Sequence, residues 1–352
     1  MIDYSNAMKR ILGCGALNLD YIFLVDDLSA FSKFGLYAGR EVVGNRQTAK
    51  ELISLLNVRA IKSVCSGGGS AANTLAILSR LGMSCLFTGV VGGDREGKLI
   101  LDSMKGVDCS FVSRHGLSPI CIVVLDVLTR DRALYVVGPE DFIMPDTLNI
   151  DSGSFDILHL TSLVNEQGLD FQMDMVQQFA RNHVICFDPG EVYASKGMDN
   201  IKQLISNTDI LFITSHELEL LTGKDHTSSI GWLIDCMKDQ NRHNMSISQY
   251  NVSFPAVVYK QGADGATLYS KDGSIKVPAV SVDQVEDNTG AGDAFAAGFL
   301  YAMSHGADPF ISMRSGAVLA SYSLKAFGRG WLEDSTEIAR GLDELILEEG
   351  KR

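Results

Sequence analysis

The stretch Glu286-Asp287-Asn288-Thr289-Gly290-Ala291-Gly292-Asp293-Ala294-Phe295 runs straight into an apolar helical pattern that ends near Ser304. Small side chains over residues 290–292 leave the N–H groups of residues 290–293 open at a helix start, a cradle suited to a phosphoryl group. Asp293 follows at the positive end of the helix dipole, which is expected to keep its carboxylate ionised at neutral pH. A carboxylate beside an anion hole can accept a hydroxyl proton while the N–H groups hold a transferring phosphoryl group, a reaction that demands positioning more than covalent chemistry. An N-cap role for Asp293 would explain the carboxylate, but neither both glycines nor Asp287.

Outward from this stretch, short apolar runs alternate with helical patterns. Strands are predicted at 11–16, 85–91, 157–160, 184–188, 210–213, 256–260 and 266–269. Helices are predicted at 71–81, 96–104, 169–181, 216–221, 294–303 and 309–325. That alternation reads as an α/β fold with a mainly parallel sheet covered on both faces. The helix from Ala71 is apolar nearly all round, which suits a buried element. Two segments break the rhythm. Residues 21–25 and then 31–43 read as extended and aromatic, and 120–127 with 133–137 form a hairpin pattern around Thr129-Arg130-Asp131-Arg132. Together they suggest a small β-rich lid fed by excursions from the main domain, with a helical insert at 46–56. Residues 224–255 are polar and aperiodic, read as a helix near 230–238 followed by a surface loop.

Two further glycine clusters lie at the heads of predicted helices. Ser66-Gly67-Gly68-Gly69-Ser70-Ala71-Ala72-Asn73 opens the helix from Ala71. Its glycines allow a tight turn and close approach to a ligand, and Asn73 can both donate and accept toward a polyol. A plain tight turn would account for the glycines equally well. In Gly89-Val90-Val91-Gly92-Gly93-Asp94-Arg95-Glu96-Gly97, Asp94 reads as a helix N-cap. Gly13-Cys14-Gly15 lacks a third glycine, because position 18 is Asn18, and no helix pattern follows it. A dinucleotide fold is therefore disfavoured, and no Gly-Lys-Ser/Thr phosphate loop occurs.

The 352 residues give a prior of about two domains, or of one large α/β domain with a small appendage. With 46 % hydrophobic and 21 % charged residues the chain can build a sizeable core. A formal net charge of −13 speaks against a nucleic-acid backbone as partner, since such binders need a basic footprint. The 34 glycines stand beside only 7 prolines, so their excess is local and not a linker signature. The seven cysteines are widely spaced, with no Cys-x-x-Cys pair, and read mainly as buried reduced thiols. No signal peptide or membrane-spanning run is visible, and a cytoplasmic protein is expected.

Taken in order, these residues resemble the PfkB/ribokinase family of carbohydrate and nucleoside kinases. Gly68-Gly69-Ser70-Ala71-Ala72-Asn73 is similar to the family's first motif, and Asp287-Asn288-Thr289-Gly290-Ala291-Gly292-Asp293 to its second. Gly13-x-Gly15-x-x-Asn18-x-Asp20 resembles the opening strand, Gly92-x-Asp94-x-x-Gly97 the intermediate glycine motif, and Lys260-x-Gly262-x-x-Gly265 the late strand-turn.

The resemblance implies a ribokinase-like three-layer α/β/α sandwich over 1–352, with a lid from about 18–45 and 112–140. It implies transfer of ATP's γ-phosphoryl group to a hydroxyl of a ribose-like or hexose sugar, or of a nucleoside. A non-catalytic sugar- or nucleotide-binding regulator on the same fold is the alternative from another class. Asp293 would be the general base, Gly290, Ala291 and Gly292 the anion hole, and Arg132 a lid arginine that neutralises transferring charge. Asp20 and Asn73 would hold substrate hydroxyls, with Gly68 and Gly69 giving close backbone approach. Lys260, Gly262, Gly265 and Glu217 would serve the nucleotide, Glu217 also holding Mg²⁺ through water, and Asp287 could line a monovalent-cation site such as one for K⁺. Residues 317–321 would help wall the adenine pocket, and a homodimer through the lid is implied. The 46–56 insert resembles the adenosine-kinase branch, where Phe31, Phe34 and Tyr37 could stack on a base or fill lid core. Two departures stand out. The family's Asn-x-x-Glu appears as Thr214-Ser215-His216-Glu217, and Asp188-Pro189-Gly190-Glu191 replaces Asp-Pro-Asn-x-Arg.

Overall fold

Strands buried on both faces carry apolar side chains at successive positions, and Ile11-Leu12, Cys186-Phe187 and Ile210-Leu211 are of this kind. The computed structural model describes residues 9–129, 131–141, 143–144, 149–164, 166–223, 226–237 and 250–349. The expected hairpin-turn residue Arg130 and most of the expected 238–255 loop lie outside them.

The strands, numbered in chain order, form two sheets. The larger has nine, in the spatial order β14 (Gly273–Val277), β13 (Ala266–Ser270), β12 (Ala256–Lys260), β11 (Ile210–Thr214), β10 (Val184–Asp188), β9 (Ile157–Thr161), β1 (Arg10–Cys14), β5 (Ser84–Val91) and β6 (Val107–Arg114). All pairs from β12 to β6 are parallel, while β13 and β14 close one edge as an antiparallel hairpin. Alternate residues feed two cores. On one face Ile11, Phe87, Cys186, Phe212 and Val258 pack with the helices Ser70–Arg80, Ala291–Ser304 and Pro309–Ser323. On the other Leu12, Leu158, Phe187, Leu211 and Val257 pack with helices from Glu166–Phe179 to His226–Met237. The α/β/α sandwich expected from the alternation is present.

The smaller sheet runs β3 (Glu41–Val43), β8 (Arg132–Val137), β7 (Ile120–Asp126), β2 (Asn18–Val25) and β4 (Lys62–Gly68). Period-2 burial splits β2 cleanly. Leu19, Phe23 and Val25 join the core shared with Ala49, Leu52 and Leu56 of the helix Arg46–Arg59, whereas Asp20 and Ile22 alternate with them and point the other way. Asn45 starts that helix by accepting from Thr48 N–H at 2.9 Å.

Two expectations fail here. Residues 31–43 are not extended: Leu28–Phe34 is a 3₁₀ helix, capped by the Asp27 side chain and ended by Gly35 at φ 80°. Only Glu41–Val43 pairs as a strand. Phe31 is consequently core, and Tyr37 is 59 % exposed. The strand β4 was not foreseen either, because its Lys-Ser-Val-Cys-Ser-Gly-Gly sequence carries no clear apolar alternation.

Candidate active site

The helix Ala291–Ser304 begins one residue after Gly290, whose φ of 77° turns the chain into it. The N-cap is therefore Gly290 and not Asp293. The first-turn N–H groups of Gly292 and Asp293 have no carbonyl one turn earlier to bond, so they stay open. Asp293 sits in that turn, and its Oδ2 accepts from Asn73 Nδ2 at 2.7 Å, while Thr74 Oγ1 donates to its carbonyl at 3.2 Å. Asn73 and Thr74 lie on the helix Ser70–Arg80, so the two glycine clusters are bound to each other through their helices.

The electrostatics differ from the expectation. Burial pushes Asp293 up to about 7, with Asp188 adding to the rise, while the Asn73 and Ser70 hydrogen bonds and Lys260 pull it down. Desolvation outweighs the helix dipole, which contributes only about 0.3–1 kcal/mol at an exposed end. A base poised near neutrality is efficient at physiological pH.

Asp293's neighbours complete a pocket lined by Asp20, Ile22, Asn73, Gly290, Arg329 and Trp331 among others. Asp20 reaches it from β2, held by an Asn18 side-chain hydrogen bond. A Cβ on Gly68 would collide with its carboxylate, which explains that glycine by packing. At Gly69, φ is 100° and a Cβ would meet the Ala16 carbonyl. Burial pushes Asp20 up to about 7 as well, opposed by Arg329 and Asn18 and assisted by Asp287 and Asp293.

A second cluster lies beneath Gly292. Lys260 Nζ donates to Asp188 Oδ2 at 2.5 Å, and both side chains are almost wholly buried. Burial alone would push Lys260 down, but Asp188, Glu217 and Asp293 outweigh it and take it up to about 12. A Cβ on Gly292 would stand 3.2 Å from Nζ, so glycine keeps the space above the ammonium open. Glu217 closes a capping box: its carboxylate accepts from Thr214 N–H at 2.7 Å, and Thr214 Oγ1 accepts from Glu217 N–H at 3.3 Å. Thr214 is thus explained locally as a helix cap. Burial pushes Glu217 up, against the pull of Lys260.

The remaining expected residues fall at varied distances from this centre. Arg132 Nη1 donates to Thr289 Oγ1 at 2.9 Å, which ties the smaller sheet to the loop before Gly290. Asp287 is buried and spent on backbone, accepting from Thr289 N–H at 2.8 Å and Gly328 N–H at 3.3 Å. Gly262 and Gly265 shape the turn after β12, both at positive φ. Phe31, Phe34 and Tyr37 do not line the pocket.

Three participants escaped the sequence reading: Arg329, Trp331 and the pairing of Asp188 with Lys260. A glycine-flanked arginine, Gly328-Arg329-Gly330, was the available signal for the first two. Among the described residues no group of three or more His, Cys, Asp or Glu is arranged to hold a metal by itself, all seven cysteines are free, and no helix is long and apolar enough to cross a membrane.

Residues 46–331 match the model of the pfkB family carbohydrate kinases, and the chain belongs to that family. An uncharacterised sugar kinase of Archaeoglobus fulgidus is 31 % identical over 71 % of this chain and 95 % of its own length. A nucleoside kinase of Methanocaldococcus jannaschii is 25 % identical over 74 % of this chain and 80 % of its own. The crystal structure of a ribokinase from Thermotoga maritima superposes with a TM-score of 0.70 at 19 % identity, covering 96 % of this chain and 99 % of that one, which places the fold as ribokinase-like. The protein is a sugar or nucleoside kinase, a phosphotransferase with an alcohol group as acceptor.

Proposed function

We propose that the chain moves the γ-phosphoryl group of ATP, with Mg²⁺, to a hydroxyl of an uncharged ribose-like or hexose sugar. The observation that carries this reading is the convergence of Asp20, Asn73 and Gly290 on one pocket, with the lining Asn73 hydrogen-bonded to Asp293. Asp20 and Asn73 accept and donate to the acceptor's hydroxyls. Asp293 takes the proton of the reacting hydroxyl, and the open N–H groups of Gly292 and Asp293 hold the phosphoryl group as charge builds. Lys260, buried below Gly292, fits a phosphate oxygen in the space that glycine leaves free. Glu217 and Asp188 fit Mg²⁺ as a partial set that shares its shell with water and phosphate oxygens, the usual habit of that ion. When bound, Mg²⁺ supplies neutralisation of phosphate charge. Arg132, docked on Thr289, closes the smaller sheet over the site as a lid.

The pocket also speaks about the acceptor's charge. Among the described residues its single lining cation, Arg329, is already faced by Asp20 and Asp293, so a sugar phosphate would find no unpaired cation there. A nucleoside is the second reading, favoured by the apolar wall of Ile22, Ile77 and Trp331 and by the likeness to a nucleoside kinase.

ADP release with ATP and Mg²⁺ across a panel of sugars, sugar phosphates and nucleosides, run beside Asp293→Asn, tests both. Turnover on neutral sugars that collapses in the variant is expected. A response to nucleosides alone would replace the first reading with the second. Ligand-dependent thermal shifts without turnover would make the protein a binding module.

A further inference from the structure

Asn73 presents two chemically opposite ends, a carbonyl that accepts and an NH₂ that donates, and packing alone distinguishes them poorly. Here each end has a partner that can play only one part. Arg329 Nε donates to Asn73 Oδ1 at 3.0 Å, while Asn73 Nδ2 donates to Asp293 Oδ2 at 2.7 Å. An arginine has no acceptor, so the reversed amide would lose the Arg329 bond and set a carbonyl oxygen against a carboxylate.

We propose that Arg329 is a positioning residue of the phosphoryl transfer, fixing the Asn73 amide so that its NH₂ faces the Asp293 carboxylate. The inference rests on the kinase reading of the site. Arg329 is itself immobilised: Nη1 donates to Ser103 O at 3.3 Å and Ser103 Oγ at 3.1 Å, at the end of the helix Arg95–Ser103. Its backbone N–H donates to Ser66 Oγ at 3.4 Å. Gly67 makes room, since a Cβ there would stand 3.1 Å from Nη1 and collide with Ser103 Oγ. Gly328, at φ 55°, turns the chain in just before it. Thus one arginine, through backbone and guanidinium, ties the first glycine cluster, a neighbouring helix and the acid–amide pair.

Its charge acts in the same direction. Asp293 is faced by Asn73 and Ser70 from the helix Ser70–Arg80, by Asp188 and Lys260 from the ends of β10 and β12, by Asp20 from β2, and by Arg329. Without Arg329, Lys260 is the cation left to favour the ionised base, and protonation persists to higher pH.

The test measures kcat and its pH profile, with the thermal midpoint alongside, for Arg329→Met, Arg329→Lys, Asn73→Ala and the two double variants. Arg329→Met is expected to lower kcat at least ~10-fold and to move the acid limb upward, while Arg329→Lys keeps the limb near its original place. On the Asn73→Ala background, Arg329→Met should lower kcat at the pH plateau less than about twofold, because the amide it orients is gone. Multiplying losses, or an unmoved acid limb with only a lowered thermal midpoint, would overturn the proposal. If Arg329→Met does not fold, the same comparison of Arg329→Lys with and without Asn73 decides, because loss of the guanidinium fork still releases the amide. A parent protein without turnover on any acceptor overturns the kinase reading, and the proposal falls with it.

Discussion

At Asp293, one side chain carries both an energetic cost and the proposed function of general base. Burial holds its proton up to about 7, whereas an unfolded chain releases it near the ordinary carboxylate value of 3.8. Asp293→Asn should lower kcat at least ~10²-fold, the lower range for loss of a general base. The same variant removes the charge that burial penalises, and its side chain can still meet the Asn73 amide through an oxygen. At pH 8 it should therefore be more stable than the parent, by about 1 kcal/mol after allowance for the carboxylate's partial exposure. Urea denaturation of the two proteins at pH 8 measures this. A destabilised variant would show that the carboxylate's hydrogen bonds outweigh its desolvation.

Between elements, the head of the helix Ala291–Ser304 is only as well placed as its contact with Pro309–Ser323 allows. Gly298 lies where the two helices cross: a Cβ there would be 2.7 Å from Ser315 C and 2.9 Å from Gly316 Cα. Glycine in a helix interior normally costs up to about 1 kcal/mol relative to alanine, so Gly298→Ala would be stabilising if space existed. Here the obstacle is backbone, which cannot swing aside, and overpacking costs about 1–3 kcal/mol. Gly298→Ala should lower the thermal midpoint and reduce activity together, because the helices part at the end that carries Asp293. Elements of this kind were legible where their signal was local. The glycine-rich helix heads at 66–73 and 286–295 pointed to the sandwich and most of the pocket from short-range chemistry. Arg329 was not legible, because its partners Ser66, Asn73 and Ser103 lie 263, 256 and 226 residues away. The aromatic run at 31–43 misled for the opposite reason: Asp27 and Gly35 make it a capped turn, and those cues are single residues.

Across the molecule, two neighbouring carboxylates have raised values, and their effects on stability run in the same direction. A group whose folded value is raised from 3.8 to about 7 binds more protons folded than unfolded between those limits, so stability falls as pH climbs through that window and stays reduced above it. The net charge of −13 acts in the same sense by self-repulsion. The thermal midpoint should decline from pH 5 to pH 8, and the double variant Asp20→Asn/Asp293→Asn should flatten much of that slope. An equal slope in both proteins would place the titration elsewhere.

The hydrogen bond between Asn73 and Asp293 spans 220 residues of chain. At roughly 5–20 residues per second of synthesis, donor and base are made roughly 10–45 s apart. On the proposed roles, a growing chain has the acceptor side, Asp20 and Asn73, long before it has Asp293 to take the hydroxyl's proton. On the proposed assignment of Asp293 as base, phosphoryl transfer becomes possible in one late step, when the helix headed by Gly290 docks.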